Sequence, residues 1–322
     1  MLKTVKAGGE GGFDYVYADS DGRKLYVARS GPAPRVAVYD LDTLAPAGEI
    51  PQTGAHGAAT DTLSHHGFAS SSPVALWDTK TLRLIKTIPV AGRPDGILGD
   101  DFNHRIYVFS HSAPNVTVLE AASGSILGTI DLGGAPEQAA ADGKGHVYVD
   151  IEDKDSVAVV DAKTMKVTGN YSLNGKGGGD AGLALDIKNH VLFVACRNPQ
   201  TMVMLDANDG KYLGDLPIGQ GCDGAAFNPK TLEAFSSQRD GTLTVIKETA
   251  PAAGPPTFAV EQTVTTMPGA KTLTLDSKTG NVLLIAAQYG PPPADAPAPT
   301  EGRRYNRAPM LPGSFTILVV GK

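Results

Sequence analysis

A chain of 322 residues with a formal charge of −6 and a pI near 5.6 has no Lys/Arg surplus for neutralising a phosphate backbone, which argues against sequence-independent nucleic-acid binding. No apolar run reaches 18 residues, so no membrane-spanning helix is expected. Gly 38 and Pro 23 together approach a fifth of the chain, the composition of many short strands joined by turns.

The N-terminal MLKTVKAGGEGG lacks an apolar h-region and does not read as a signal peptide. The expectation is a periplasmic or secreted protein whose leader has been removed, with a cytoplasmic one as the alternative. Beyond it one unit repeats: a Gly-rich lead-in, a small-apolar run, a turn with Asp or Asn, and a β-rich run. GRPDGILGDDFNHRIYVFS from Gly92, GAPEQAAADGKGHVYVDIE from Gly134 and GGGDAGLALDIKNHVLFVA from Gly177 are three copies. A further strand ending near Asp follows each, as in SVAVVDAKT from Ser156 and TMVMLDAND from Thr201, and then a fourth segment. Asp100, Asp142, Asp186 and Asp276 mark the turns on a period of about 42 to 46 residues. Four strands on such a period read as an all-β β-propeller, because no single blade buries its own faces. The blades run over residues 8–53, 54–91, 92–133, 134–175, 176–219, 220–267 and 268 to the end, giving a single seven-bladed domain over 1–322. The last blade lacks a fourth strand, since SFTILVVGK from Ser314 aligns with third strands such as RVAVYD and NVTVLE. LKTVKAGGEGG aligns with LIKTIPVAGRPDG, where an outer strand leads into the next blade. The N-terminal strand is therefore expected to complete blade seven and close the ring, removing free sheet edges.

The segments DGRKLYVARSG (21–31), RVAVYDLDTL (35–44), HVYVDIEDKDSVAVVDAKTMKV (146–167) and VLFVACRN (191–198) resemble the YVTN-type repeat over nearly the whole chain, most weakly in blades two and six. That repeat belongs to a family of bacterial seven-bladed propellers, related in fold to lactonases of the six-phosphogluconate pathway. The resemblance implies a scaffold, often exported, more than a reaction.

One residue per blade, five before the repeat's Asp, should circle the top mouth of the channel: Asp14, Asp95, Glu137, Asp223 and Lys271. Asp180 joins them with a one-residue shift, and blade two offers His56 or Gly57. Carboxylates outnumbering one Lys favour a divalent cation: Ca²⁺, Mg²⁺ or Mn²⁺ on oxygen ligands, and Zn²⁺ if imidazole joins. The other reading is that these acids cap turns or pair with Arg29, Arg93 and Arg197.

His56 and His111 belong to the top face and are candidate general bases beside the acids. His104, His146 and His190, with His65 and His66, fall in turns on the bottom face and read as a turn signature. No G-x-S-x-G is present, Ser70–Ser71–Ser72 reads as a turn, and GKGGGDAG (175–182) lacks the Lys-Ser/Thr ending of a phosphate loop. Cys196 and Cys222 end up on the top of adjacent blades, where a disulfide is geometrically open to them and would indicate an oxidising compartment. Residues 288–315 form a Pro-rich insertion with Arg303, Arg304, Tyr305 and Arg307, either a substrate clamp for carboxylate or phosphate or a strap across the top. The substrate-binding candidates are Arg29, Arg197, Arg303, Arg304 and Tyr305. Two functions stand side by side: a metal-dependent lactone, ester or phosphoester hydrolase, and a non-catalytic monomeric propeller that binds a small ligand, peptide or protein at its mouth.

Overall fold

The computed structural model describes residues 1–249, 254–291 and 308–322. Among them there is no helix, and the strands form seven antiparallel four-stranded sheets. The expected seven-bladed propeller is found. The innermost strands are Phe13–Asp19, Ala55–Asp61, Pro94–Asp100, Pro136–Ala141, Asp180–Asp186, Cys222–Asn228 and Leu273–Leu275. Six are irregular near the mouth: in blade three, Pro94 faces Ser110 and the next partners are Ile97 and Val108. The same slip recurs in blades one, two, four, five and six.

The repeated Asp, replaced by Asn228 in blade six, stabilises the turn after the inner strand. Asp19 accepts from Gly22 N, Asp61 from Ser64 N, Asp186 from Lys188 N and Asp276 from Lys278 N. A short carboxylate supplies the acceptor that a tight turn cannot find in its own ladder. His146 donates from Nδ1 to Asp142 of its own turn at 2.9 Å, as expected, whereas His104 reaches across to Asp61 of the preceding blade at 2.7 Å.

Seven apolar clusters fill the gaps between neighbouring blades. Tyr26, Val36 and Val38 of blade one meet Ala69 and Trp77 of blade two, and Phe235 and Leu243 of blade six meet Val282 and Leu284 of blade seven. The ring closes where Lys3–Lys6 pairs antiparallel with Thr316–Val320, Val5 facing Ile317. Two arginines pin that closure. On the bottom, Arg23 bonds both oxygens of Asp276 at 2.9 Å, joining blades one and seven. Burial pulls the Asp276 carboxyl up, but the bonds from Arg23, Thr279, Ser20 and Lys278 N together more than offset it and hold it at about 2.

On the top, the fully buried Arg29 lies 3.9 Å above the ring of Phe315. Its guanidinium reaches the carbonyls of Gly8, Gly9, Glu10, Gly11 and Gly12 at 3.0–3.4 Å. Arg29 is therefore a structural clamp on the chain that leads from the closing strand into blade one. It is sequestered from any substrate, contrary to the expectation from sequence.

The disulfide that the sequence left open is not formed. Cys196 and Cys222 are both free and buried. Cys196 packs between blades four and five, whereas Cys222 packs between blades five and six. The sulfurs thus point into different cores, and burial pushes the Cys222 thiol up to about 12.

Replacing Arg29 with Met takes its donors from the carbonyls of residues 8–12, of which Gly12 O keeps Ser30 N. We expect a loss of about 2–4 kcal/mol in urea unfolding, with faster amide exchange in residues 3–6; an unchanged midpoint would contradict the clamp. A second prediction concerns Glu248, which is fully buried and pushed up to about 7 by burial and then by Asp186. Its folded value lies above the unfolded one, so its contribution is complete below about pH 4.5 and lost as pH rises through about 7. Glu248→Gln should raise stability by about 1–3 kcal/mol at pH 8 and leave it unchanged at pH 4, as read by urea midpoints.

Candidate functional site at the channel mouth

The second residue of each inner strand faces the channel mouth in blades one to six: Asp14, His56, Asp95, Glu137, Ala181 and Asp223. Lys271 takes the corresponding place just before the inner strand of blade seven. Asp180 is therefore not in the ring. It is the first residue of its strand, where Ala55, Pro94, Pro136 and Cys222 point into the cores between blades. Its Oδ2 accepts from Ile151 N at 3.1 Å and its other oxygen is buried without a partner. Burial, then Asp155, pushes this carboxyl up to about 7.

The vacancy left by Ala181 is filled from the second strand of the same blade. Arg197 reaches inward to Asp223, Glu152 and Glu137, the last at 3.4 Å, and its Nε donates to Cys222 O at 3.1 Å. Burial works against its charge, but Asp223, Glu137 and Glu152 outweigh it and hold the guanidinium protonated. Arg197 is a wall of the mouth, not a free substrate arm. Arg93 is exposed and makes no ion pair among the described residues. Arg303, Arg304, Tyr305 and Arg307 lie outside the described residues.

The side chains form a closed circuit. Lys271 contacts Asp14 at 3.2 Å, Asp14 contacts His56 at 2.8 Å, and His56 contacts Asp95 at 3.3 Å. Asp95 contacts His111 at 3.4 Å, His111 contacts Glu137 at 3.0 Å, and Arg197 and Asp223 complete the path back to Lys271. Every oxygen of the four ring carboxylates has its own basic partner. Burial raises Asp14, but the bond from His56 and the charge of Lys271 leave it below its usual value. Asp95 is left above its usual value, chiefly by burial. The bond to Glu137 raises His111 to about 9, so at neutral pH it is a donor already carrying its proton and not the base expected from sequence.

Beneath the circuit the channel is bridged. Tyr15 of blade one reaches Glu137 O of blade four at 3.3 Å. Gln138 of blade four accepts from Leu183 N and Ala225 N and donates to Ala225 O, each at 3.0 Å. Gly57, Gly96, Gly182 and Gly224 occupy the same level in other blades; a Cβ on Gly182 would sit 2.8 Å from the Gly224 carbonyl carbon. The mouth is a polar cup with a hydrogen-bonded floor. Sequence reasoning missed Glu152, Tyr15 and Gln138. Glu152 was within reach, since it follows its second strand as His111 and Arg197 follow or end theirs.

Among the described residues three groups of donors fit around a single ion, each with its ligand atoms within 4.8 Å of one another: Asp14, His56 and Asp95, and Asp95, His111 and Glu137 at the mouth, and Asp61, Asp101 and His104 on the opposite face. Asp95 belongs to both groups at the mouth.

The chain is similar to a chain in a solved structure titled "Crystal Structure of Mitotic Checkpoint Complex", with a TM-score of 0.73 and 10% identity over 88% of this chain and 87% of that one. At that identity the likeness shows the propeller fold alone. No known family profile and no curated protein matches the chain.

The folded value of His111, about 9, exceeds its unfolded 6.5, so its stabilising contribution is complete below pH 6.5 and fades as pH rises through about 9. The difference in melting temperature between wild type and His111→Gln should shrink across that window. A difference that stays constant from pH 6 to 10 would show that the imidazolium does not hold Asp95 and Glu137 together.

Proposed function

We propose that the mouth binds one divalent cation and serves as the centre of a lactone, ester or phosphoester hydrolase. The observation that carries this reading is the spacing of the donors around Asp95. His56 lies 2.8 and 3.3 Å from Asp14 and Asp95, and His111 lies 3.0 and 3.4 Å from Glu137 and Asp95. Ligand atoms about 2.0–2.2 Å from one ion stand about 3.0–3.4 Å from each other, so an ion in place of a shared proton needs little rearrangement. Mixed imidazole and carboxylate donors favour Zn²⁺ or Mn²⁺ over Ca²⁺ or Mg²⁺. Such an ion would polarise a carbonyl or phosphoryl oxygen and lower the pKa of its water. Of the protein's own groups, the histidine outside the ion's triad, still held by carboxylates, would donate its proton to the leaving oxygen. Arg197 and Lys271, on the opposite arc, would keep that side of the cup positive.

A second reading is favoured by the complete pairing of the circuit. A cup whose carboxylates are already neutralised by His56, His111, Arg197 and Lys271 is also a rigid polar seat for a small ligand or peptide, with no chemistry.

The two readings separate on metal content. Protein purified without chelator or metal-affinity resin should carry close to one ion per chain by elemental analysis. Asp95→Asn, which touches both triads, should lose that ion and all turnover while keeping the fold. At free metal about 100 times the dissociation constant, the ion should add about 2.7 kcal/mol to stability, removable with EDTA. Metal content near zero after dialysis against Zn²⁺ and Mn²⁺ would leave the non-catalytic seat as the function.

A further inference from the structure

On the opposite face, a cleft of about 540 Å³ lies between blades four and five, walled by Tyr148, Tyr171 and Val159. Its origin can be read residue by residue. In blades two and four the tight turn before the outer strand puts a left-handed apolar residue against the outer strand of the blade before it, whereas blade three has Gly124 at that place. Leu82 of blade two touches Gly48 of blade one, and Met165 of blade four touches Gly128 of blade three. In blade five the corresponding residue is Gly210, at φ +75, and the outer-strand position it should cover is Gly169. Glycine stands on both sides, so the apolar plug is missing. Two residues beyond the outer-strand position, Ile50, Ile88 and Ile130 are buried in the first three blades, whereas blade four has Tyr171. Its ring lies over Gly210 and its hydroxyl donates to the carbonyls of Ala207 and Asn208 at 3.2 and 3.0 Å.

Most polar groups along the cleft already have partners. Asp142, the acid on the wall, is occupied by Lys144 N, His146 N and His146 Nδ1. The Tyr148 hydroxyl is used by Ala207 O. The ammonium of Lys144 and the imidazole of His190 line the cleft, are exposed, and have no hydrogen bond or ion pair among the described residues. Apart from the amide oxygen of Asn208, what remains unpartnered is therefore the Lys144 ammonium and the His190 imidazole, facing the wall of Tyr148 and Tyr171. Concave sites of a few hundred Å³ with a few convergent polar groups are the usual form of small-molecule sites.

We propose that this cleft binds a small molecule made of one planar apolar ring and one oxyanion. The ring lies against Tyr171 and Val159, and the oxyanion, phosphate or carboxylate, is taken by Lys144 and His190. The site is separate from the channel mouth and does not depend on its chemistry.

The test is titration by calorimetry with phenyl phosphate and with benzoate, each set against inorganic phosphate. Saturable binding of one aryl oxyanion identifies the head group, and Lys144→Met should weaken it about tenfold, the loss expected for one charge-assisted hydrogen bond. The double variant Tyr171→Ile/Gly210→Met restores the plug found between blades three and four. It should abolish binding while melting no lower than wild type, because Leu44, Leu82 and Met165 already occupy that left-handed position. If the double variant does not fold, Lys144→Met/His190→Gln decides, and unchanged affinity there overturns the proposal. So does the absence of saturable binding by both aryl ligands, or inorganic phosphate binding as tightly as phenyl phosphate.

Discussion

Each blade here is a four-stranded sheet with two apolar faces, and among the described residues there is no helix to cover either one. Its only cover is the next blade. The condition is satisfied everywhere only if the last blade finds the first, which makes closure the constraint on which all else depends. Lys3–Lys6 supplies the missing strand, Arg23 pins the bottom through Asp276, and Arg29 gathers the connecting carbonyls on the top. A buried guanidinium with no carboxylate is tolerable because five carbonyls replace its hydration.

Closure also explains why a site can exist at the mouth. The inner strands start at one level around one axis, so a single position per blade becomes a circle of side chains far apart in sequence. Asp14 and Lys271 are 257 residues apart and lie 3.2 Å from each other. The irregular pairing at the start of the inner strands sets which residue turns inward. A shift of one residue exchanges the channel for the core between blades, and this is why Asp180 is buried while Asp223 joins the circuit.

The architecture was legible because the repeat is written in strands and turns: the capping Asp, the apolar runs and the orphan third strand of blade seven all survive as sequence pattern. The inner circle was legible for Asp14, His56, Asp95, Glu137, Asp223 and Lys271, since one offset served every blade. Two kinds of fact were not. Whether Arg29 meets a ligand or its own backbone depends on a loop path that no pattern records, and burial decided it. The role of Arg197 depended on a neighbour's absence, for it reaches the axis only because Ala181 leaves room. The cleft on the far side was hidden for a related reason, since Gly169 and Gly210 each look like ordinary turn or strand glycines and matter only as a facing pair.

The circuit at the mouth has a property that comes from counting. Opposite charges can alternate around a closed loop only if the number of members is even, and a propeller with one residue from each of seven blades offers an odd number. Somewhere two like charges would have to stand side by side, as in a frustrated ring of spins. This chain removes the mismatch by silencing one blade with Ala181 and drawing His111 and Arg197 from second strands, giving six inner members plus two and a loop of eight. Parity, then, is a constraint on which seven-bladed mouths can be self-neutral. A single charge reversal at any of the eight positions would set like charges against both of its neighbours.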